Sequence, residues 1–311
     1  MAQRPRVTVL GSLNTDISLP VPHLPGPGET VLAAAAAIFG AGGKGANQAV
    51  AAVRLGAAVR MVGCCGDDEF GARLRDGLTA EGIGVAGLRV VPGVASGLAL
   101  ITVDPAGENS IAVAAGANGH AGDAEVAAAF AEPCDVLVLS AEIPAPVLGA
   151  ALRRARAGGV CAVLNLAPVP EDAAGLLAER PDWLVVNEQE AAALAGESPG
   201  GAHATAARLA ARIGGHVVVT LGAEGAVLAG PSGTAALPGF RVSAVDTVGA
   251  GDAFVGALAV ALASGLGQAG AVAAACAAGA AAATRRGAQA ALPRPADVLA
   301  ATGFCWPLPA G

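Results

Sequence analysis

Six short runs of β-branched and aliphatic residues recur along the chain: "RVTVLG" (6–11), "VRMVGCCG" (59–66), "DVLVLS" (135–140), "VCAVLNL" (160–166), "WLVVN" (183–187) and "HVVVTLG" (216–222). Helix-length stretches rich in Ala, Leu and Arg lie between them, among them "GANQAVAAVRLG", "PAPVLGAALRRARAGG" and "GAHATAARLAARIGG". A strand that is apolar at consecutive positions is buried on both faces, and helices must cover those faces. Their alternation predicts an α/β fold: three layers, with a doubly wound, mostly parallel sheet between helices and right-handed crossovers. Two regions break the rhythm. Residues 15–39 and 95–114 read as extended hairpins, with Pro25-Gly-Pro-Gly-Glu and Asp104-Pro-Ala-Gly as turns. They predict a small β-sheet lid on a single domain spanning 1–311.

At 311 residues the chain can bury one large core. Its net charge of −7 is spread out, with no basic run longer than Arg153-Arg154, which argues against nucleic acid as a partner. The six cysteines show no CxxC spacing and the four histidines are scattered, so neither a zinc site nor a disulfide framework is suggested. The start "MAQRPRVTVLGS" lacks the apolar core of a signal peptide. The most apolar stretch, 269–283, is too short to span a bilayer and reads as a buried helix. The expectation is a cytoplasmic protein with no membrane partner.

In open parallel sheets, ligands bind where strands end and helices begin. Those junctions carry Asn14 and Asp16, Asn165, Asn187 with Glu190, and Thr220-Leu-Gly222, which predicts convergence on one cleft. In "AVDTVGAGDAFVGALAVALASG" (244–265), a short strand is expected to lead to Asp246, then Gly249-Ala250-Gly251-Asp252, then an apolar helix. A glycine turn at a helix N-terminus suits an anion, including charge on a transferring phosphoryl group. Asp252, in the first turn, could accept a proton from an attacking hydroxyl; the plain alternative is an acidic residue favoured by the helix dipole.

"FGAGGKGANQA" (39–49) holds Lys44, the only lysine of the chain. It is not a Walker A loop, since Gly45 follows the lysine and Ile38 stands where a glycine is needed. Gly40, Gly42 and Gly45 match the dinucleotide spacing, but after a hairpin instead of the first strand. Lys44 and Asn47 could instead meet a polyhydroxylated substrate or a phosphate, or the run could be a turn with a solvated lysine.

"GSLNTD" (11–16), "PGPGET" (25–30), "GGKGANQA" (42–49), "GDDEFG" (66–71), "NEQEA" (187–191), "VVTLGAEG" (218–225), "DTVGAGDAFVGAL" (246–258) and "TRRGAQ" (284–289) occur in one order. Together they resemble the PfkB-type carbohydrate kinase family, and within it the ribokinase branch, over about residues 7–293. The resemblance implies ATP-dependent phosphorylation of the ribose 5-hydroxyl, with Mg²⁺ on the phosphates and K⁺ as activator. It implies Asp252 as base and the amides of Gly249, Ala250 and Gly251 as anion hole. Asn14, Asp16, Gly43, Lys44, Gly45, Asn47 and Glu142 would hold the sugar. Asn187 and Glu190 would lie near phosphates and metal, and Thr220, Gly222, Ala223 and Gly225 would line the nucleotide cleft.

Cys276 stands where the family usually has a polar residue near adenine, so base contacts there are expected to be apolar. Asp246, Val248, Ala282, Arg285, Gly287 and Ala291 would form the monovalent-cation site, Ala291 replacing a frequent serine ligand. A homodimer through the lid is also implied. The alternatives are a related kinase for fructose, a deoxysugar or a nucleoside such as adenosine, a non-catalytic sugar-binding module, and a nicotinamide-dependent oxidoreductase.

Overall fold

The computed structural model describes residues 4–196 and 200–306; the first three residues of the supposed leader-free start lie outside it. In chain order the strands are β1 (Arg6–Leu10), β2 (Asn14–Pro20), β3 (Ile38–Gly42), β4 (Ala58–Gly66), β5 (Gly84–Val91), β6 (Gly97–Val103), β7 (Asn109–Ala114), β8 (Val136–Ser140), β9 (Cys161–Asn165), β10 (Trp183–Asn187), β11 (His216–Thr220), β12 (Gly225–Gly230) and β13 (Gly233–Pro238). The helices are α1 (Lys44–Arg54), α2 (Glu69–Ala80), α3 (Asp123–Ala129), α4 (Ala145–Gly158), α5 (Ala173–Ala178), α6 (Glu188–Ala195), α7 (Gly201–Ile213), α8 (Ala250–Ala263), α9 (Gln268–Ala283) and α10 (Pro295–Thr302).

Nine strands make the main sheet in the order β13-β12-β11-β10-β9-β8-β1-β4-β5, parallel from β11 to β5. The six apolar runs are β1, β4, β8, β9, β10 and β11. Their alternate residues feed two separate cores. Val7, Val9, Val136 and Val138 pack with α1, α8 and α9 on one face, and Leu10, Leu137 and Leu139 pack with α4 and α7 on the other. Double-sided burial is why these strands show no polar alternation. The stretch 269–283 falls within α9, whose buried residues run from Ala271 to Ala283, as expected.

The two edge strands, β5 and β13, and β12 beside β13 carry no such signal. β5 contains two glycines and an arginine and is exposed at intervals. β12 and β13 are Ala- and Gly-rich and antiparallel, joined across Gly230–Gly233 by a tight turn that leaves no room for a crossover.

Four strands form the second sheet, β3-β2-β6-β7, drawn from the two regions that break the rhythm. β2 and β6 run parallel at its centre, with β3 and β7 antiparallel outside. The alanine run Ala33–Ala37 stays outside any strand, and β3 starts only at Ile38. The short strand expected before Asp246 is absent. The backbone N–H groups of Val245 and Asp246 donate to the Ala283 carbonyl at the end of α9, 2.8 and 3.2 Å, instead of to a neighbouring strand.

Candidate active site

α1 and α8 begin on the same side of the main sheet, and their first turns meet. Lys44, Asn47 and Gln48 have the i, i+3, i+4 spacing that puts three side chains on one helix face. Asp252 lies in the first turn of α8 and is 8% exposed. Asn47 Nδ2 donates to Asp252 Oδ2 at 2.8 Å, and Gln48 Nε2 donates to Asp252 Oδ1 at 3.1 Å. Gln48 also donates to Asn165 Oδ1 at 3.0 Å, and Asn165 Nδ2 donates in turn to the Val185 carbonyl at 3.1 Å. Both carboxylate oxygens are therefore held by amides of α1, and that of Gln48 is itself tied to Asn165. Burial pushes the Asp252 carboxyl up, with Lys44, Asn47 and Gln48 opposing it. A carboxylate raised in this way is a better proton acceptor than one in water.

Asp252 lines the middle one of three adjoining cavities. The first, about 580 Å³, lies under the small sheet and is lined by Asn14, Lys44, Ile111, Val113, Glu142 and Glu190, among others, with no aromatic residue. The middle one, about 220 Å³, includes Lys44, Asn165, Asn187, Glu190, Thr220, Thr247, Gly249, Gly251 and Asp252. The third, about 520 Å³, is apolar in character and includes Thr220, Gly222, Ala223, Gly225, Phe240, Gly251, Phe254 and Cys276. Lys44 and Glu190 join the first to the second, and Thr220, Thr247 and Gly251 join the second to the third.

The charges of Asp16, Lys44, Glu142 and Asp252 form one cluster. Burial first, then Glu142 and Asp252, push the Asp16 carboxyl up to about 6. Burial pulls the Lys44 ammonium down, but Asp252, Glu142 and Glu190 outweigh it and the net shift is upward. Glu142 Oε2 is already engaged, accepting from Ser12 Oγ at 2.5 Å and from the Lys44 backbone N–H at 3.0 Å. It thereby caps the N-terminus of α1. Gly43, at φ 85°, precedes that turn, and a Cβ there or on Gly45 would collide with the backbone between Gly11 and Asn14. Gly40 and Gly42 belong to β3 of the small sheet, so the dinucleotide-like spacing is not a turn between a core strand and its helix.

At the start of α8, Gly249 is the N-cap with φ 78°. The N–H groups of Gly249 and Gly251 have no partner among the described residues, whereas Ala250 N–H donates to the Thr247 carbonyl at 3.2 Å. Asn187 and Glu190 are tied to each other as a capping box on α6, each side chain accepting the other's backbone N–H at 2.8 Å. Burial chiefly raises the Glu190 carboxyl, and burial also raises the Cys276 thiol to about 11.

Asp246 accepts from Val248 N–H at 3.0 Å and Gly287 N–H at 2.8 Å, joining two segments of the candidate cation site. The Ala282 carbonyl accepts Arg285 N–H at 3.1 Å, the Arg285 guanidinium turns to Asp297, and Ala291 is fully buried. Among the described residues, no three His, Cys, Asp or Glu side chains group as metal ligands.

Sequence reasoning missed Gln48 and Asn118. Gln48 was visible, one residue beyond Asn47 on the same helical face. Asn118 carries no spacing signal, because the fold alone brings it to Asn14.

The description "pfkB family carbohydrate kinase" matches residues 4–295. A ribokinase of Schizosaccharomyces pombe is 35% identical over 304 residues, covering 92% of this chain and 94% of that protein. A deoxyribokinase of Salmonella typhi is 35% identical over 258 residues, 81% of this chain and 84% of that protein. The solved structure of an Arabidopsis thaliana ribokinase complexed with ribose and ATP superposes with a TM-score of 0.83 at 28% identity, covering 96% of this chain and 98% of that one. With this match over residues 4–295 and these relatives, the chain belongs to the pfkB family of carbohydrate kinases.

Proposed function

We propose that the chain is a ribokinase, phosphorylating D-ribose at the 5-hydroxyl with ATP. The observation that carries this is the position of Asp252, buried in the middle cavity between one that holds Asn14, Lys44, Glu142 and Glu190 with no aromatic residue and another fronted by the N-terminus of α8. A sugar hydroxyl entering from the first cavity gives its proton to Asp252. The γ-phosphoryl enters from the third, and the free N–H groups of Gly249 and Gly251 take up charge on its oxygens. The apolar cavity around Phe254 and Cys276 suits the adenine face. The absence of an aromatic residue from the sugar-side lining favours a compact polyol over a nucleoside, which would stack. A substrate panel with coupled ADP detection tests this: ribose should be turned over faster than fructose, 2-deoxyribose or adenosine. Faster turnover of any of those three reassigns the substrate.

Oxygen donors fit both cations that this activity implies. Asn187 and Glu190 would hold Mg²⁺, which neutralises phosphate charge. Asp246 and the carbonyls of Val248, Ala282, Arg285 and Gly287 would hold K⁺ behind the anion hole, and the Arg285 guanidinium, drawn off to Asp297, leaves that place open. Ala291 offers no side-chain oxygen there. Exchange of K⁺ for choline is therefore expected to lower kcat, and Ala291→Ser to enlarge the K⁺ effect; equal rates in both salts would show the site to be inactive.

The small sheet is assigned as the lid of a single kinase domain. One of its faces carries Asn14, Asp16, Ile111 and Val113, of which Asn14, Ile111 and Val113 line the sugar cavity, while Ile17, Phe39, Leu100 and Ala112 lie in register on the other. Phe39 is 58% exposed and Leu100 49% exposed, a patch of the kind that a second copy covers. Sedimentation at micromolar concentration is expected to give twice the 29.6 kDa chain mass, and a single-chain species would remove the dimer. Cytoplasmic placement accords with six free thiols and with no described helix long and apolar enough to cross a membrane; recovery in another cell fraction would contradict it.

A further inference from the structure

Asn118 lies in the short turn Gly116–His120 after β7 and is 1% exposed. Its Oδ1 accepts the Leu13 N–H and its Nδ2 donates to the Leu13 carbonyl, both at 3.0 Å. A peptide N–H can only donate and a carbonyl can only accept, so the Asn118 amide has one possible orientation. Its remaining N–H points at Asn14 Oδ1, 2.8 Å away. The oxygen of Asn14 is thereby committed inward, and its Nδ2 is left over. That nitrogen has no partner among the described residues, and Asn14, 3% exposed, lines the sugar-side cavity.

The small sheet makes room for this arrangement. Asn14 pairs with Gly42 on one side and Gly97 on the other, and a Cβ on Gly97 would collide with both amides. Asp16, two residues along β2 and on the same face, pairs with Gly40 and Ala99. Small neighbours thus clear the space around one fixed donor and one carboxylate.

We propose that Asn118 is a specificity-determining positioning residue, which fixes the amide of Asn14 so that the cavity offers a substrate hydroxyl a donor beside the acceptor Asp16. The inference rests on the assignment of this cavity to the sugar. A hydroxyl both accepts and donates, so it can satisfy Asn14 and Asp16 together. A substrate carbon without that hydroxyl leaves both groups unpaired, which such a site discriminates against.

Asn118→Asp keeps an acceptor for Leu13 N–H but has no proton for Asn14, which can then turn its oxygen outward. The expected result is a rise of about tenfold in KM for ribose, with kcat and the KM for ATP changed less than about threefold. Riboses lacking one hydroxyl at C1, C2 or C3 supply the second readout. One of them should be discriminated against by the unaltered protein and much less by the variant. Asn14→Asp guards against a folding defect, since its oxygen still accepts from Asn118 while the cavity receives an acceptor in place of a donor. It should melt normally and lose the same discrimination.

The double variant Asn14→Ala/Asn118→Asp should be no worse than Asn14→Ala alone. Additive losses, or an Asn14→Asp variant that retains wild-type discrimination, overturn the proposal. No turnover of ribose by the unaltered protein overturns the sugar assignment itself, and is seen before any variant is compared.

Discussion

Asp252→Asn is expected to lower kcat by ~10²-fold or more, because in the proposed reaction the substitution removes the group that takes the hydroxyl proton. The carboxylate is held from two sides, by Asn47 Nδ2 and Gln48 Nε2, and both donors come from a single face of α1. An asparagine fills the same volume but brings an NH₂ group against one of those donors, so some loss of stability accompanies the loss of rate. The two effects separate cleanly. ATP binding, assigned by the proposal to the third cavity, where Phe254 and Cys276 are untouched, should survive in the variant. A thermal melt and an ATP titration check the fold, and a single-turnover assay reads the chemistry. A drop in kcat of less than about tenfold would mean that Asp252 is a dipole-favoured residue at a helix start and that the proton goes elsewhere.

The order of legibility follows the range of the interaction. β1, β4 and β8 to β11 were visible because burial on both faces leaves an unbroken apolar run in the chain itself. β5 and β13 were not, because an edge strand pairs on one side and tolerates Gly, Ala and Arg, nor was β12, whose short Gly- and Ala-rich run carries little β-branched signal. The site shows the same gradient. Gly249 and Gly251 at the start of α8, and Lys44 and Asn47 at the start of α1, are local features of a helix terminus, so spacing reveals them. The role of Glu142 as a cap on α1 spans a separation of 98 residues, and the contact from Asn118 to Leu13 spans 105. No periodicity records such pairs. Asn187 and Glu190 show the opposite case: their spacing is that of a capping box, which the structure contains, so the local signal alone could not distinguish a cap from a ligand.

Lys44→Ala should raise the KM for ribose by ~10-fold or more, and by more than it raises the KM for ATP, as removal of a charged hydrogen-bond donor predicts. Lys44 makes no ion pair among the described residues, although Asp252, Glu142 and Glu190 all act on it. Its side chain bridges the sugar-side and middle cavities and does not reach the third, so the loss falls on the sugar. A pH profile adds a second signature. Lys44 is the strongest influence that opposes the burial of Asp252, and it holds that carboxyl below where burial alone would put it. Without the cation Asp252 binds its proton more tightly, so the acid limb of the rate profile must move to higher pH. Lys44→Arg keeps the charge but replaces a compact ammonium with a planar fork. It should leave the acid limb near its original position while still weakening ribose. If instead the KM for ATP rises more than that for ribose in Lys44→Ala, the lysine belongs to the phosphates. The glycine run around it would then be a phosphate loop in function, whatever its strand-to-helix geometry.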